Sequence, residues 1–172
     1  MMNKILYNRI LAAIIDYGII AGYALLLFFT TTIFLSTTSI DTRTNPLIGQ
    51  FINLITLTLP VVAYAYFTEK SAWKGTVGKR YRKLKVVTAQ NTSNKSILVR
   101  NLLKYLPWEL AHTGVHWSVY FSSNNVETPI WAWIFLVVPQ FIAIVYCISI
   151  VLSKGHSSTY DHISNTRIAP WD

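Results

Sequence analysis

Long apolar runs alternate with short polar connections along this chain. Residues 10–35, 48–67 and 130–152 are almost uncharged, since the first run holds one charged residue, Asp16, and the other two hold none. A helix needs about 20 apolar residues to cross the roughly 30 Å hydrocarbon core of a bilayer. The pattern therefore predicts three transmembrane helices, and Pro60 should kink the second of them.

A fourth stretch, residues 101–121, is long enough to cross a membrane but is half polar. It contains Lys104, Glu109, His112 and His116. Two structures fit this pattern: a fourth transmembrane helix, or an amphipathic helix lying in the membrane surface.

Loop charge favours the fourth crossing. Short cytoplasmic loops are enriched in Lys and Arg. Segment 68–100 carries nine Lys and Arg residues against one acid, whereas 36–47 has Arg43 as its one basic residue and 122–129 has none. Four spans with both termini in the cytoplasm satisfy every loop, so we expect a multi-pass protein of the cell membrane.

The cytoplasmic segment 68–100 should be partly ordered. Gly75 and Gly78 favour a turn, Leu84 opens a short extended piece, and residues 96–99 read as a returning strand. The fold class predicted is an all-α membrane protein: a bundle of four transmembrane helices with a small cytoplasmic β-hairpin, forming a single domain over 1–172.

Composition and charge agree with a membrane protein. Apolar residues make up 52% of the chain and charged residues 13%, about half the charge of a typical soluble domain. The surplus of Lys and Arg indicates attraction to anionic lipid headgroups and not to nucleic acid. The expected lipid-facing basic patch consists of Lys79, Arg80, Arg82, Lys83 and Lys85.

Asp16 is the sharpest candidate for chemistry. A carboxylate inside a span costs about 2.5–3.5 kcal/mol, and such residues usually face the bundle interior and mark an ion or proton path. Arg9 lies on the same helical face but about 10 Å away along the axis, so another element should bridge the two. The alternative is structural: Arg9 as an interfacial anchor and Asp16 as a buried packing residue.

A second candidate cluster is Glu109, His112 and His116, whose spacings of three and four place them on one helical face. A proton relay suits a carboxylate beside imidazoles, and the alternative is the polar face of an interfacial helix. Asp161 follows the last span and can reach Arg9 if both termini are cytoplasmic. We see no nucleophile–base set, metal cage or cofactor motif, so no enzyme, metal or cofactor is expected.

Several short motifs together resemble the RDD family of small membrane proteins, which is named for one arginine and two aspartates. Arg9 and Asp16 match its first helix. Residues 75–80 match a Gly-x-x-Gly-Lys-Arg stretch, 100–103 match Arg-Asn-Leu-Leu, and 161–166 resemble the closing motif.

Some members of that family are similar to alkali-cation/proton antiporters. The resemblance therefore implies a cation/proton exchanger or small-ligand transporter, with protons and monovalent cations as partners. Asp16 would bind the proton or cation, Arg9 and Asp161 would form a cytoplasmic gate or structural pair, and Glu109 and His112 would be secondary relays. The alternative is a non-transporting membrane scaffold or assembly factor. Four short spans leave little interior, so a homodimer is expected.

Overall fold

The structure, a computed structural model, describes residues 4–37, 45–88 and 94–171 and is mostly helical. Its helices are α1 (Lys4–Thr37), α2 (Pro46–Asn53), α3 (Leu59–Lys70), α4 (Val77–Tyr81), α5 (Asn94–Ser123), α6 (Ile130–Leu152) and α7 (Thr159–Ile163). A π-helical turn, Leu54–Thr58, joins α2 to α3, and the two strands are β1 (Leu84–Thr88) and β2 (Thr166–Pro170).

Three helical stretches are long and apolar enough to cross a membrane: Lys4–Phe34, Pro46–Lys70 and Ile130–Leu152. They coincide with the three predicted apolar runs. Large apolar side chains project outward from them, including Phe28 and Phe141, each more than 60% exposed. Outward apolar side chains are typical of a helix that faces lipid instead of water.

The second of these stretches contains a π-helical turn that the sequence did not predict. The distortion begins before Pro60, in the π-helical turn, where the Leu59 N–H donates to the Leu54 carbonyl five residues earlier. Pro60 lies in the first turn of α3, where its missing N–H is tolerated. π-Helical turns of this kind are frequent at functional sites.

Helix α5 lies antiparallel to α6 over most of its length. Near one end of the pair the Tyr146 hydroxyl donates to the Leu103 carbonyl at 3.0 Å, and near the other Trp117 packs on Trp131. Between them, a Cβ on Gly114 would lie 2.9 Å from Leu136, so the two backbones approach closely there. Stretch 101–121 is thus helical throughout, but α5 is too polar to be identified as membrane-spanning by length and composition.

The predicted β-hairpin within 68–100 is wrong. Strand β1 pairs antiparallel with β2 from the far end of the chain, with Val86 opposite Ile168, and residues 96–99 belong to α5. Burial explains this pairing, because Leu84, Val86 and Ile168 form one apolar cluster with Ala12 of α1. The sheet therefore ties the C-terminal segment to the first helix.

The C-terminal segment, which sequence alone suggests is a polar tail, packs against α1. Gly155 has a left-handed backbone (φ 90°), and a Cβ there would lie 2.6 Å from the Leu6 backbone. Glycine is suited to both requirements. Arg43, which entered the loop-charge prediction, lies outside the described residues.

Candidate functional site

Six charged side chains are buried together at one end of the helical bundle, each less than a tenth exposed. They come from α1, α3, α4, α5 and α7, so the site joins five elements. We call them the ion-pair network: Arg9, Asp16, Glu69, Lys79, Arg100 and Asp161.

Asp161 is held by two arginines. Arg9 Nη2 donates to its Oδ2 at 2.6 Å and Arg100 Nε donates to its Oδ1 at 2.8 Å. The Ser158 N–H also donates to Oδ2 in a capping box that starts α7. Burial opposes ionisation of Asp161, but the Arg100 and Arg9 guanidiniums outweigh it and lower the pKa of the carboxyl to about 2. Asp161 is therefore a fixed anion at neutral pH.

Glu69, at the end of α3, is the centre of the network. Arg100 Nη1 lies 2.6 and 2.5 Å from its two carboxylate oxygens. Lys79 Nζ donates to Oε1 at 2.9 Å and Asn101 Nδ2 donates to Oε2 at 2.9 Å. A buried carboxylate needs such partners, because an isolated buried charge is very costly.

Asp16 is bound mainly by α4. The Gly78 N–H donates to Oδ1 at 2.8 Å, the Thr76 hydroxyl donates to Oδ2 at 2.5 Å, and Lys79 Nζ lies 3.9 Å from Oδ2. Gly78 permits this contact, since a Cβ there would lie 2.8 Å from Asp16 Oδ1 and would meet the Ala12 carbonyl. A continuous series of contacts thus connects Arg9 to Asp16 through Asp161, Arg100, Glu69 and Lys79. The sequence predicts that another element bridges Arg9 and Asp16 but does not identify it.

The network contains three acids and three bases and is neutral as a unit. The carboxylate oxygens accept from N–H and O–H donors or contact cations, so they present no oxygen cage to a metal ion. Within the described ranges, no group of three or more His, Cys, Asp or Glu residues is arranged to hold a metal. The arrangement is suited to fixing helices against each other.

A second polar feature runs between α2, the π-helical turn and α5. We call it the polar seam: Gln50, Asn53, Thr58, Glu109 and Thr113. The Thr58 hydroxyl donates to Glu109 Oε2 at 2.6 Å, and Gln50 Nε2 donates to Thr113 Oγ1 at 2.8 Å. The buried Asn53 Nδ2 has no hydrogen-bond partner among the described residues.

Glu109 differs from the acids of the ion-pair network. No Lys, Arg or His nitrogen of the described part of the chain lies within 4.0 Å of its carboxylate. Its hydrogen-bond partner Thr58 lies midway along the apolar stretch Pro46–Lys70. Glu109 is therefore a carboxylate that lies beside the middle of a stretch apolar enough to span a membrane, without a fixed counter-charge.

The two histidines do not join Glu109 in a hydrogen-bonded relay. The His112 ring nitrogen Nδ1 lies 3.0 Å from the Trp108 carbonyl oxygen, and its ring packs against that of Trp108. His116 lies against Gly49 of α2, with Nδ1 3.1 Å from the position of a Cβ there. The shared helical face thus places the three side chains near one another but with separate partners.

The predicted basic patch requires one correction. Lys79 is buried and bonded to Glu69, so it does not face lipid. Arg82 is half-buried and donates to Asn8 Oδ1 at 2.5 Å, while the Lys85 ammonium lies over the Trp171 ring. Arg80 and Lys83 are exposed, and their contact with lipid stays a prediction.

Sequence reasoning assigned no chemistry to Glu69, Arg100 or Thr58. Two of them carried a usable signal, since Glu69 is the one acid in a segment with nine bases and Arg100 opens the Arg-Asn-Leu-Leu motif. Thr58 carried none, because a threonine in an apolar run is ordinary in transmembrane helices. Thr58 matters because its hydroxyl donates to Glu109 of α5.

Together the fold and these two polar features define a helical membrane protein whose ionisable groups lie mostly inside the bundle. The chain belongs to the RDD family, whose model matches residues 5–165. Comparisons with curated proteins and with solved structures each found no match. Arg9, Asp16 and Asp161, the residues that match the family name, all lie in the ion-pair network.

Proposed function

We propose that this protein is a monovalent cation/proton exchanger in which Glu109 alternately binds a proton and a cation. The observation that carries the proposal is the contact of Glu109 with Thr58, midway along the apolar stretch Pro46–Lys70, without a cationic partner. A carboxylate at that depth becomes neutral by taking up a proton or a cation, and such residues commonly mark ion and proton paths. The adjacent π-helical turn and the oxygen atoms of Thr58 and Thr113 supply further polar groups beside it.

The proposal moves the exchanging role from Asp16 to Glu109. The Asp16 oxygens are bound by Thr76 and Gly78, with Lys79 nearby, and both Glu69 and Asp161 are bound by Arg100. A cation arriving at any of these acids would have to displace hydrogen bonds to buried partners. The ion-pair network is then the support that holds the helices around the exchange site.

The proposed topology has four spans, with both termini and the ion-pair network on the cytoplasmic side. Helix α5 lies antiparallel to α6, which is itself apolar enough to span, and the two share aromatic contacts at their connection. Trp117, Phe121 and Trp131 would lie at the opposite membrane interface, where aromatic belts are common. Helix α5 runs beside α6 from the ion-pair network to these aromatic residues. If α6 crosses the membrane, α5 would therefore cross it as well.

Proton flux in reconstituted vesicles tests the proposal. Vesicles loaded with a pH-sensitive dye receive Na⁺, Li⁺ or K⁺ outside, and the rate of internal pH change is measured. We expect at least one cation to drive proton movement, and we expect Glu109→Gln to reduce it by about a hundredfold or more. The size of the loss reflects removal of the carboxylate that binds the proton and the cation.

Glu127→Gln is the matched control, because Glu127 is exposed in the connection between α5 and α6. It should leave proton flux unchanged. Flux that survives Glu109→Gln, or a wild-type protein that moves no protons with any of the three cations, would contradict the proposal.

A scaffold function is the second candidate, favoured by the neutral ion-pair network that joins five elements. In that case Glu109 and Thr58 would be one more helix-packing contact. The two candidates differ in the Glu109→Gln variant, which in a scaffold would lower stability and in an exchanger would lower flux with little loss of stability.

A further inference from the structure

A cleft of about 960 Å³ separates α1 from α5 and α6. Its walls are apolar and largely exposed, with Ile14 and Tyr17 on α1, Trp108 on α5, and Ala143 and Val151 on α6. Helix α1 packs mainly on α4 and on the π-helical turn and is not closely packed on α6. The volume is at the upper end of the roughly 300–1,000 Å³ of ligand pockets.

The cleft is charged at the end where it meets the ion-pair network. Three bases, Arg9, Lys79 and Arg100, line it there together with Asp16, and the acids of the network neutralise the three bases. Lys104, one turn further along α5 and half-buried, also lines it. Its Nζ donates to the Tyr105 hydroxyl at 3.1 Å, and no carboxylate of the described residues lies within 4.0 Å. The cleft therefore carries one positive charge beyond those that the network balances.

We propose that this cleft binds an anionic phospholipid, with one acyl chain against the apolar walls and the phosphate at Lys104. Charge complementarity selects this occupant, because a zwitterionic headgroup would bring its own cation next to Lys104. The cleft has long apolar walls and the Lys104 ammonium group near one end. A molecule with an anionic head and a long hydrocarbon chain fits both features. The proposal is independent of the exchanger function.

Native mass spectrometry of the detergent-purified full chain tests the proposal. The protein is mixed with equimolar phosphatidylglycerol and phosphatidylcholine that carry identical acyl chains. We expect one phosphatidylglycerol per chain, retained about tenfold over phosphatidylcholine. Lys104→Gln should reduce that preference to about one, because the balancing charge is gone. Lys70→Gln, the same change at an exposed lysine at the end of α3, should leave it intact.

A second variant tests the apolar walls without changing charge. Ala143→Trp fills the cleft and should reduce phosphatidylglycerol retention about tenfold, with the helical circular dichroism of the protein unchanged. Equal retention of the two lipids, or equal losses in Lys104→Gln and Lys70→Gln, would overturn the proposal. Displacement of phosphatidylglycerol by equimolar palmitate would assign the cleft to a free fatty acid and would also overturn it.

Discussion

At the scale of single residues, the acids of this protein have two kinds of environment. Asp16, Glu69 and Asp161 each contact a lysine or an arginine within 4.0 Å, whereas Glu109 is bonded to the neutral Thr58. Removal of one member of a buried ion pair leaves its partner buried and uncompensated. Our proposal therefore gives the first three a role in stability and Glu109 the role in exchange.

Glu69→Gln should be strongly destabilising, because Lys79 and Arg100 would both lose the charge that they share. We expect a loss of about 3–5 kcal/mol in the free energy of unfolding, measured by denaturant titration in detergent micelles. Glu127→Gln makes the same chemical change at an exposed site and should stay within about 0.5 kcal/mol of wild type. Similar values for the two variants would contradict the role given to Glu69.

The pH dependence of stability should carry the signature of Asp161. Its pKa falls from 3.8 to about 2 in the folded protein, so its ionised form binds more strongly in the folded than in the unfolded state. The resulting stabilisation, roughly 2–3 kcal/mol, is complete above about pH 4 and is lost as the pH falls through 2.

The comparison with Asp161→Asn isolates that contribution. The stability difference between wild type and this variant should be constant from pH 7 to about pH 5 and should shrink between pH 4 and pH 2. A difference that shrinks already near neutral pH would mean that Asp161 is not a fixed anion.

At the scale of elements, the short helix α4 supplies hydrogen bonds that fix α1 to the rest of the charged end. It places the Gly78 N–H and the Thr76 hydroxyl on Asp16 and the Lys79 ammonium on Glu69. Thr76 is at the N-cap position of α4, yet its hydroxyl bonds Asp16 instead of capping the helix. A five-residue helix is thus fixed by its contacts with its neighbours and not by its own hydrogen bonds.

Gly78→Ala should separate α4 from α1, because the added methyl group meets the Ala12 carbonyl and lies 2.8 Å from Asp16 Oδ1. We expect a loss of about 1–3 kcal/mol in the same unfolding measurement. Gly18→Ala and Gly22→Ala are controls within α1, where a Cβ meets nothing within 4 Å. They should be neutral or slightly stabilising, and a loss as large as that of Gly78→Ala would contradict the close-packing argument.

The sequence was informative where local chemistry decides the structure. Uncharged runs identified three helices, with 130–152 matching α6 residue for residue, and the structure pairs Arg9 with Asp161. The β1–β2 pairing was not predictable from local pattern, because 84–88 and 166–170 are far apart in the chain and each is only five residues long. Lys79 looked like its exposed neighbours, since only the folded arrangement brings Glu69 to it.

At the scale of the whole molecule, the described part combines a charged end joined by buried ion pairs with an interior that contains a large cleft. The ion-pair network and the β1–β2 sheet join both ends of the chain, whereas the cleft separates α1 from α5 and α6. An exchanger needs such an interior if a site near mid-membrane is to be reached from both sides. The ion-pair network would hold the helix ends in fixed relative positions while the conformation of the interior changes.

The proposed four-span topology predicts the accessibility of single cysteines in a Cys147→Ser background. Ser123→Cys, at the end of α5, should react with a membrane-impermeant maleimide from outside intact cells, and His156→Cys should react only after the cells are opened. Both positions are exposed in the structure. Labelling of Ser123→Cys only after the cells are opened would contradict a crossing by α5.

The central claim, that Glu109 exchanges a proton for a cation, can be measured most directly as proton release. Na⁺, Li⁺ or K⁺ is added to purified protein in weakly buffered detergent, and the protons released per chain are counted. We predict cation-dependent proton release from wild type and from Glu127→Gln, and none from Glu109→Gln. Proton release that persists in Glu109→Gln, or its absence from wild type with all three cations, would contradict the account.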